Sequence, residues 1–197
     1  MTINNSEHQK QQRRRHFWER DFPKTVPEGR DLAALRVGLG RESGSVPAMW
    51  PYYTVLHAEG WITPKLRAEH AALALFAVHQ QSQPRLMHKP DVGLGWAMAN
   101  LRRSDKFSPE AVDRRFGAAA TATSFTEVVA HLRGLVSQLR TLKPAQPLDY
   151  TRLLRDLCDW QDQERVHSVR RRWGSQYFTA GRDGQTPADQ DSASAPA

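Results

Sequence analysis

The sequence predicts an all-α protein, a single-domain bundle of about seven or eight helices without significant sheet. Three observations predict this class: apolar residues recur every three to four positions, period-two alternation is missing, and proline follows Thr63 and Ser108, as at capped helix starts. With 197 residues and 39% hydrophobic content, the chain can bury one core. We expect a basic flexible arm over residues 1–23, the helical domain over residues 24–178, and a disordered polar tail over residues 179–197.

The first two predicted helices flank a turn that contains glycine. Leucines spaced by three and four predict a helix over residues 30–39, with Asp31 as its cap. Pro47 opens the second helix, whose core face is expected to include Trp50 and Leu56. Two short helices are therefore expected before the central part of the domain.

Three helices follow in the middle of the chain. Thr63 and the proline after it begin a helix that is apolar nearly all round over residues 71–78, which predicts a central position. A short helix ending in a basic loop is expected within residues 90–103. Ser108, again followed by proline, begins the next helix.

The last three helices carry the most regular apolar spacing. Ser124 and Glu127 form a capping-box pattern, after which apolar residues follow helical spacing to Leu139. Further helices are predicted over residues 148–160 and 166–178, and the second of these carries arginines on the face away from its apolar stripe.

The charge of the chain points to an anionic partner. The net charge is +7, the isoelectric point is about 10.0, and residues 22–178 hold 22 basic and 15 acidic side chains. A basic folded domain favours nucleic acid as the first candidate. The alternative at this point is a charge that serves solubility alone.

Several classes of protein are disfavoured by the sequence. No apolar run reaches the length of a membrane span, and no secretory signal is found, so a cytoplasmic location is expected. A single cysteine, Cys158, excludes an internal disulfide. No local metal-binding, phosphate-loop or nucleophile motif occurs, so we expect no enzyme activity, no metal and no cofactor.

A set of short motifs occurs in one order along residues 30–178. The motifs are Leu-x-x-Leu-Arg-x-Gly-Leu-Gly-Arg from Leu32, Trp-Pro-Tyr-Tyr from Trp50, Val-Asp-Arg-Arg-Phe from Val112, the Phe125–Leu139 helix with His131-Leu132-Arg133, Leu-Asp-Tyr-x-x-Leu-Leu-Arg-Asp-Leu from Leu148, and Val-x-x-x-Trp from Val169. As an ordered set they resemble the CasB family, the small subunit of Cascade, the type I-E CRISPR effector complex.

The resemblance implies an all-helical, non-catalytic subunit that is present in two copies. Such a subunit would touch target-strand DNA and help to hold the displaced strand of the R-loop. The implied partners are the large subunit, the backbone subunits, a second copy of the chain, the guide CRISPR RNA and target DNA as an R-loop, with no membrane.

Nine arginines match basic positions of the family and also fall off the apolar stripes. Their expected role is electrostatic clamping of phosphates, and they are Arg36, Arg41, Arg102, Arg114, Arg115, Arg133, Arg140, Arg171 and Arg172. We expect Trp50, Tyr52 and Tyr53 to brace Arg36 and Arg41 by packing, without offering a surface for stacking.

Two other functions compete with this one. A helical DNA-binding regulator would need a recognition helix with polar side chains, and the nearest candidate, residues 91–103, is too apolar to read base edges well. A helical adaptor would bind only protein, with its basic faces meeting acidic partners.

Overall fold

The computed structural model describes residues 15–180 of the chain. This range contains two 3-10 helices, Phe17–Glu19 and Pro47–Tyr52, and seven α-helices. The α-helices are α1 (Gly29–Arg36), α2 (Pro64–Gln80), α3 (Leu94–Arg103), α4 (Pro109–Thr121), α5 (Phe125–Leu139), α6 (Tyr150–Asp159) and α7 (Val166–Thr179). Within the same range, β pairing is limited to an isolated bridge between His88 and Leu148. The all-α prediction is therefore confirmed.

Helix α2 lies at the centre of the molecule. The hydroxyl of Thr63 accepts a hydrogen bond from the amide of Leu66 at 3.1 Å, and Pro64 occupies the first turn. Fourteen residues of α2 are buried, and α2 packs against α1, α5 and α6. The helix predicted to be central is therefore the core of the fold. Neither α2 nor any other helix within residues 15–180 is long and apolar enough to cross a membrane.

Helix α3 joins the remaining helices by packing against α4, α5 and α7. The contact with α7 depends on Gly95, where a Cβ atom would lie 2.3 Å from the carbonyl oxygen of Trp173 and 2.6 Å from Cβ of Gln176. Only glycine leaves room for the two backbones at this distance.

The first two predicted helices differ from their expected form. Helix α1 ends at Arg36, earlier than predicted, and no side chain caps its start. The prediction that Asp31 caps α1 is wrong, because the Asp31 carboxylate accepts a hydrogen bond from the Tyr52 hydroxyl at 2.9 Å. The helix that Pro47 opens is a 3-10 helix of six residues with a proline inside it, and that proline cannot donate the backbone bond an α-helix needs.

The first 3-10 helix docks on the core. Phe17 and Trp18 are buried, and the indole N–H of Trp18 donates a hydrogen bond to the Thr151 hydroxyl at 2.9 Å. The aromatic end of the expected arm therefore contacts α6. Residues 1–14 and 181–197 lie outside the described part of the chain, so the expected arm and tail remain predictions there.

Candidate nucleic-acid interface

The nine arginines expected to bind phosphates divide into two sets. The guanidinium groups of six make no hydrogen bond or ion pair with any other residue of the described range, and all six are exposed or half-exposed. These six, called the unpaired arginines below, are Arg36, Arg41, Arg114, Arg115, Arg133 and Arg171. The other three, Arg102, Arg140 and Arg172, have partners within the fold.

Arg102 is paired with a carboxylate on the next helix. Its Nε and Nη2 atoms donate to the two carboxylate oxygens of Asp113 at 2.8 and 3.3 Å. Asp113 also accepts a hydrogen bond from the Tyr177 hydroxyl. The bond from Arg102 holds the pKa of Asp113 below its usual range. The charge of Arg102 is therefore balanced within the fold, and the group ties α3 to α4 and α7.

Arg140 closes the end of the central helix. Its Nη1 atom donates to the carbonyl oxygen of Val78 at 3.1 Å and to the side-chain oxygen of Gln81 at 2.9 Å. The last carbonyls of a helix have no partner within the helix, so an arginine from another element can satisfy them. Arg140 therefore anchors the end of α5 to the end of α2.

Arg172 belongs to a buried network. Its Nη2 atom bonds to Oδ1 of Asp156, and the indole N–H of Trp173 donates to Oδ2 of Asp156 at 2.6 Å. Burial raises the pKa of Asp156, while the two donors act in the opposite direction. Since Asp156 is 2% exposed, removing Arg172 would leave a buried carboxylate short of a donor. This arginine has a structural role.

Four of the unpaired arginines lie on helices that pack together. Arg114 and Arg115 precede Phe116 on α4, and the Phe116 ring packs against an α7 tryptophan with ring centroids 6.5 Å apart. Arg133 lies on α5, which packs against α4, and Arg171 lies on α7. The fold therefore gathers these four charges on three adjoining helices.

Arg36 and Arg41 lie on another part of the fold, because α1 packs mainly against α2 and the second 3-10 helix. The turn between them is anchored by His70, whose Nε2 donates to the Gly38 carbonyl at 2.8 Å and whose Nδ1 accepts from the Tyr53 hydroxyl at 2.7 Å. Burial lowers the pKa of His70 and raises the pKa of Tyr53 to about 12. Both groups are therefore neutral near pH 7, and the anchor does not depend on charge.

The aromatic residues beside this turn are only partly in the core. The Tyr52 hydroxyl donates a hydrogen bond to Asp31 of α1, and the expectation that Trp50, Tyr52 and Tyr53 brace Arg36 and Arg41 stays a prediction. Trp50 is 51% exposed and Leu56 is 48% exposed, so their assignment to the core face is wrong. A 3-10 helix with an internal proline is too short to bury a continuous face. Trp61, which the sequence patterns did not single out, is exposed and stacks on His57 with ring centroids 4.9 Å apart.

Three further cations were also missed by the sequence patterns. Arg85, Lys89 and Lys143 are exposed and line two adjoining hollows of about 360 and 400 Å³. Each of the three has a proline as its chain neighbour. Proline marks loops, and loops often carry binding residues, so this pattern is the signal that could have found them.

What the described surface offers a partner is mainly fixed positive charge. No group of three His, Cys, Asp or Glu side chains within residues 15–180 is placed to hold a metal ion. Cys158 is a free thiol, and burial raises its pKa.

The sequence profile of the family described as CRISPR-associated protein Cse2 matches residues 31–178, which is most of the chain. The chain belongs to the Cse2 family. The resemblance to CasB that the sequence motifs indicate is thereby confirmed, and the chain is a CRISPR-associated protein of the kind that forms a subunit of a Cascade-type effector complex.

Solved CasB structures are similar to this Cse2-family chain. CasB from Thermobifida fusca has 28% identity and a TM-score of 0.60, and the match covers 75% of this chain and 82% of that one. CasB from Thermus thermophilus has 27% identity and a TM-score of 0.57, with 75% and 84% covered. M. ruber CasB shares the fold, with 21% identity, a TM-score of 0.61, and 91% and 94% covered. None of the curated proteins matches the sequence.

The candidate phosphate-binding residues all lie within residues 31–178, which match the Cse2 family profile. All nine arginines and the three cations of the hollows fall within residues 31–178, whereas the docked helix Phe17–Glu19 precedes that range. The candidate interface is therefore a property of the Cse2 domain itself.

Proposed function

We propose that this Cse2-family chain is the non-catalytic small subunit of a type I-E CRISPR RNA-guided surveillance complex, Cascade, and that it binds nucleic-acid backbone to stabilise the R-loop in antiviral defence. The observation that carries the proposal is the set of six unpaired arginines on a basic domain. A guanidinium group can donate two parallel hydrogen bonds to a phosphate. These six can do so without breaking a contact of the fold.

The energetics of R-loop formation support this role. Pairing with the guide RNA reads the target sequence, and the heteroduplex formed is about as stable as the DNA duplex that it replaces. Modest contacts to the backbone can therefore decide whether the R-loop persists. Contacts between arginine and phosphate carry no information about base sequence, and they weaken as salt rises.

The proposal includes the partners that such a complex needs. They are the large subunit, the backbone subunits, a second copy of the chain, the guide CRISPR RNA, and both the target and the displaced DNA strands. The complex would act in the cytoplasm, where it meets invading DNA.

The structure disfavours a regulator that reads a major groove. The segment nearest to a recognition helix is α3, and its residues Leu94, Gly95, Ala97, Met98, Ala99 and Leu101 are buried. A recognition helix must present its side chains to base edges. Helix α3 instead packs against α4, α5 and α7.

The test compares two four-site variants within the assembled complex. One variant removes unpaired arginines, and its substitutions are Arg41→Ala, Arg114→Ala, Arg115→Ala and Arg171→Ala. The control removes the same number of exposed arginines that are already paired with carboxylates, and its substitutions are Arg15→Ala, Arg30→Ala, Arg102→Ala and Arg165→Ala. Both variants change the net charge equally.

We expect the unpaired variant to weaken the affinity of the complex for target DNA and to shorten the lifetime of the R-loop. The control should change both quantities little, since its arginines have local counter-charges. Equal effects of the two variants would mean that only net charge matters. Complexes that assemble normally but bind no nucleic acid through this subunit would favour the protein-only adaptor.

A further inference from the structure

The two hollows form one cleft between the loop that joins α2 to α3 and the loop that joins α5 to α6. Arg85 and Pro144 line both parts, and Lys89 and Lys143 each line one. We propose that this basic cleft binds the phosphate backbone of single-stranded nucleic acid. The proposal rests on the proposed function and adds to it a site separate from the unpaired arginines.

The two walls of the cleft are joined by backbone hydrogen bonds. The amide of Leu148 donates to the carbonyl of Met87 at 3.0 Å, and the amide of Lys89 donates to the carbonyl of Leu148 at 3.2 Å. These backbone amide and carbonyl groups are therefore already paired with each other. A peptide that binds by adding a strand needs a free edge, so this arrangement disfavours a peptide that binds in that way.

Hydrogen bonds made by the buried side chain of Gln80 fix the backbone of the wall that carries Arg85. Gln80, which is 1% exposed, accepts from the Met87 amide at 2.8 Å through its side-chain oxygen. Its side-chain nitrogen donates to the carbonyls of Arg85 and Gln83 at 2.9 and 3.3 Å. The side chain of Gln83 in turn donates to the carbonyl of Arg140 at 3.3 Å. A ligand therefore meets a cleft that is already formed, which lowers the ordering cost of binding.

The arginine and lysine side chains that line the cleft give it positive charge without nearby negative charge in the lining. Arg85, Lys89 and Lys143 make no side-chain hydrogen bond or ion pair within the described range, and no aspartate or glutamate lines either hollow. The nearby Asp149 is 8% exposed, and its carboxylate accepts from the amides of Asp91 and of the first turn of α6. Its oxygens are thus engaged in the loop and helix cap. The three cations have no carboxylate partner and are available to phosphates.

The lining also offers apolar surface between the cations. Leu86 is half-buried on one wall, and the rings of Pro144, which is exposed, and Pro147, which is half-buried, lie on the opposite side. Proteins that bind single strands combine a positive groove with apolar or aromatic surface for sugars and bases. A duplex exposes phosphates on its outside and keeps its bases stacked, so it cannot use this apolar lining.

The test uses two triple variants of the full chain, matched in residue types and in net charge. The cleft variant carries Arg85→Ala, Lys89→Ala and Lys143→Ala. The control carries three substitutions at exposed cations outside the cleft, Lys24→Ala, Lys65→Ala and Arg155→Ala. The probe is a fluorescent single-stranded DNA of mixed sequence, and its affinity is measured by anisotropy over a range of salt. Loss of three phosphate contacts should reduce the slope of log affinity against log salt by about 2 units in the cleft variant only.

A second measurement does not depend on how the variants fold. Amine acetylation of the wild-type chain is compared with and without the single-stranded DNA. We expect the DNA to protect Lys89 and Lys143 from acetylation and to leave Lys24 and Lys65 as reactive as before. Protection that is equal at all four lysines would contradict a defined site.

The outcomes separate this proposal from the proposed function. Equal salt slopes for the cleft and control variants, or no protection of Lys89 and Lys143, would overturn the cleft and leave the unpaired arginines to their own test. Loss of slope in the cleft variant, with none on removal of the unpaired arginines, would support the cleft and contradict the proposed clamp. If the cleft variant binds DNA normally but loses binding of polyglutamate, the cleft is a peptide site and the proposal is wrong.

Discussion

The substitution Gly95→Ala tests the contact on which the packing of α3 depends. An added Cβ atom would lie 2.3 Å from the Trp173 carbonyl oxygen, 2.6 Å from Cβ of Gln176 and 3.0 Å from the Tyr177 amide nitrogen. An ordinary contact needs 3.4–4 Å, so α3 and α7 must separate by about 1 Å to accept the methyl group. Two of the three atoms belong to the backbone and cannot rotate away. The packing of the buried Trp173 is then disturbed.

The expected cost can be set against a matched control. Overpacking of a core typically costs about 1–3 kcal/mol, and an obstacle of backbone atoms favours the upper end. Replacing a glycine within a helix by alanine gains up to about 1 kcal/mol, so Gly95→Ala should lower the free energy of unfolding by about 2 kcal/mol. At Gly134 on α5 a Cβ atom meets nothing within 4 Å. Gly134→Ala should therefore raise the free energy of unfolding by about 0.5–1 kcal/mol.

Urea denaturation of the full chain measures both changes. The midpoint should fall for Gly95→Ala and rise for Gly134→Ala, with unchanged dependence on urea concentration. In thermal unfolding, Gly95→Ala should lower Tm by about 4–8 °C for a chain of this size. If Gly95→Ala proved as stable as the wild type, the close approach of α3 and α7 would be wrong, and so would the positions derived for the arginines on α7.

Three further stability changes are expected. Burial lowers the pKa of His79 from 6.5 to about 3. As the pH falls, the unfolded chain therefore binds a proton at this residue at a higher pH than the folded chain does. Stability should fall by about 2 kcal/mol between pH 7 and pH 5 on account of this residue, and His79→Gln should remove that part of the pH dependence measured by urea denaturation. Gln80→Ala loses three hydrogen bonds to the cleft wall and should cost about 2–3 kcal/mol in the same assay. Thr63→Ala removes the cap of α2 and should cost about 1 kcal/mol.

Each of these has a result that would contradict it. An acid dependence identical in wild type and His79→Gln would mean that the histidine is not buried as a neutral ring. A suitable control for Gln80→Ala is Gln163→Ala, an exposed position where a change within about 0.5 kcal/mol is expected. Equal effects of these two substitutions would refute the bracing of the cleft, and no effect of Thr63→Ala would refute the cap.

Much of the fold could be predicted from local patterns. The caps at Thr63, Ser108 and Ser124 all form, because the signal is local: a side-chain oxygen accepts from an amide three residues later. The exposed positions of Trp50 and Leu56 could not be predicted in the same way. Whether such a side chain is covered depends on which distant element packs over it, and helical spacing carries no such information.

The sequence could indicate which arginines are candidates for the site, but it could not indicate which of them are paired with other residues of the fold. Helical spacing correctly placed arginines away from the apolar stripes. It could not show that Arg102 meets Asp113 on the next helix, or that Arg140 bonds to the carbonyl of Val78, 62 residues away in the chain. Those partners are set by tertiary packing. They separate an arginine that maintains the fold from one that is free to bind a phosphate.

The salt dependence of R-loop affinity tests the central claim most directly. In the assembled complex, the slope of log affinity against log salt is measured for wild type and for the two four-arginine variants defined above. Loss of four phosphate contacts should reduce the slope by roughly 3 units in the variant that lacks unpaired arginines, and the variant that lacks paired arginines should keep nearly the wild-type slope. Identical slopes in all three complexes would contradict the claim that the unpaired arginines bind nucleic-acid backbone.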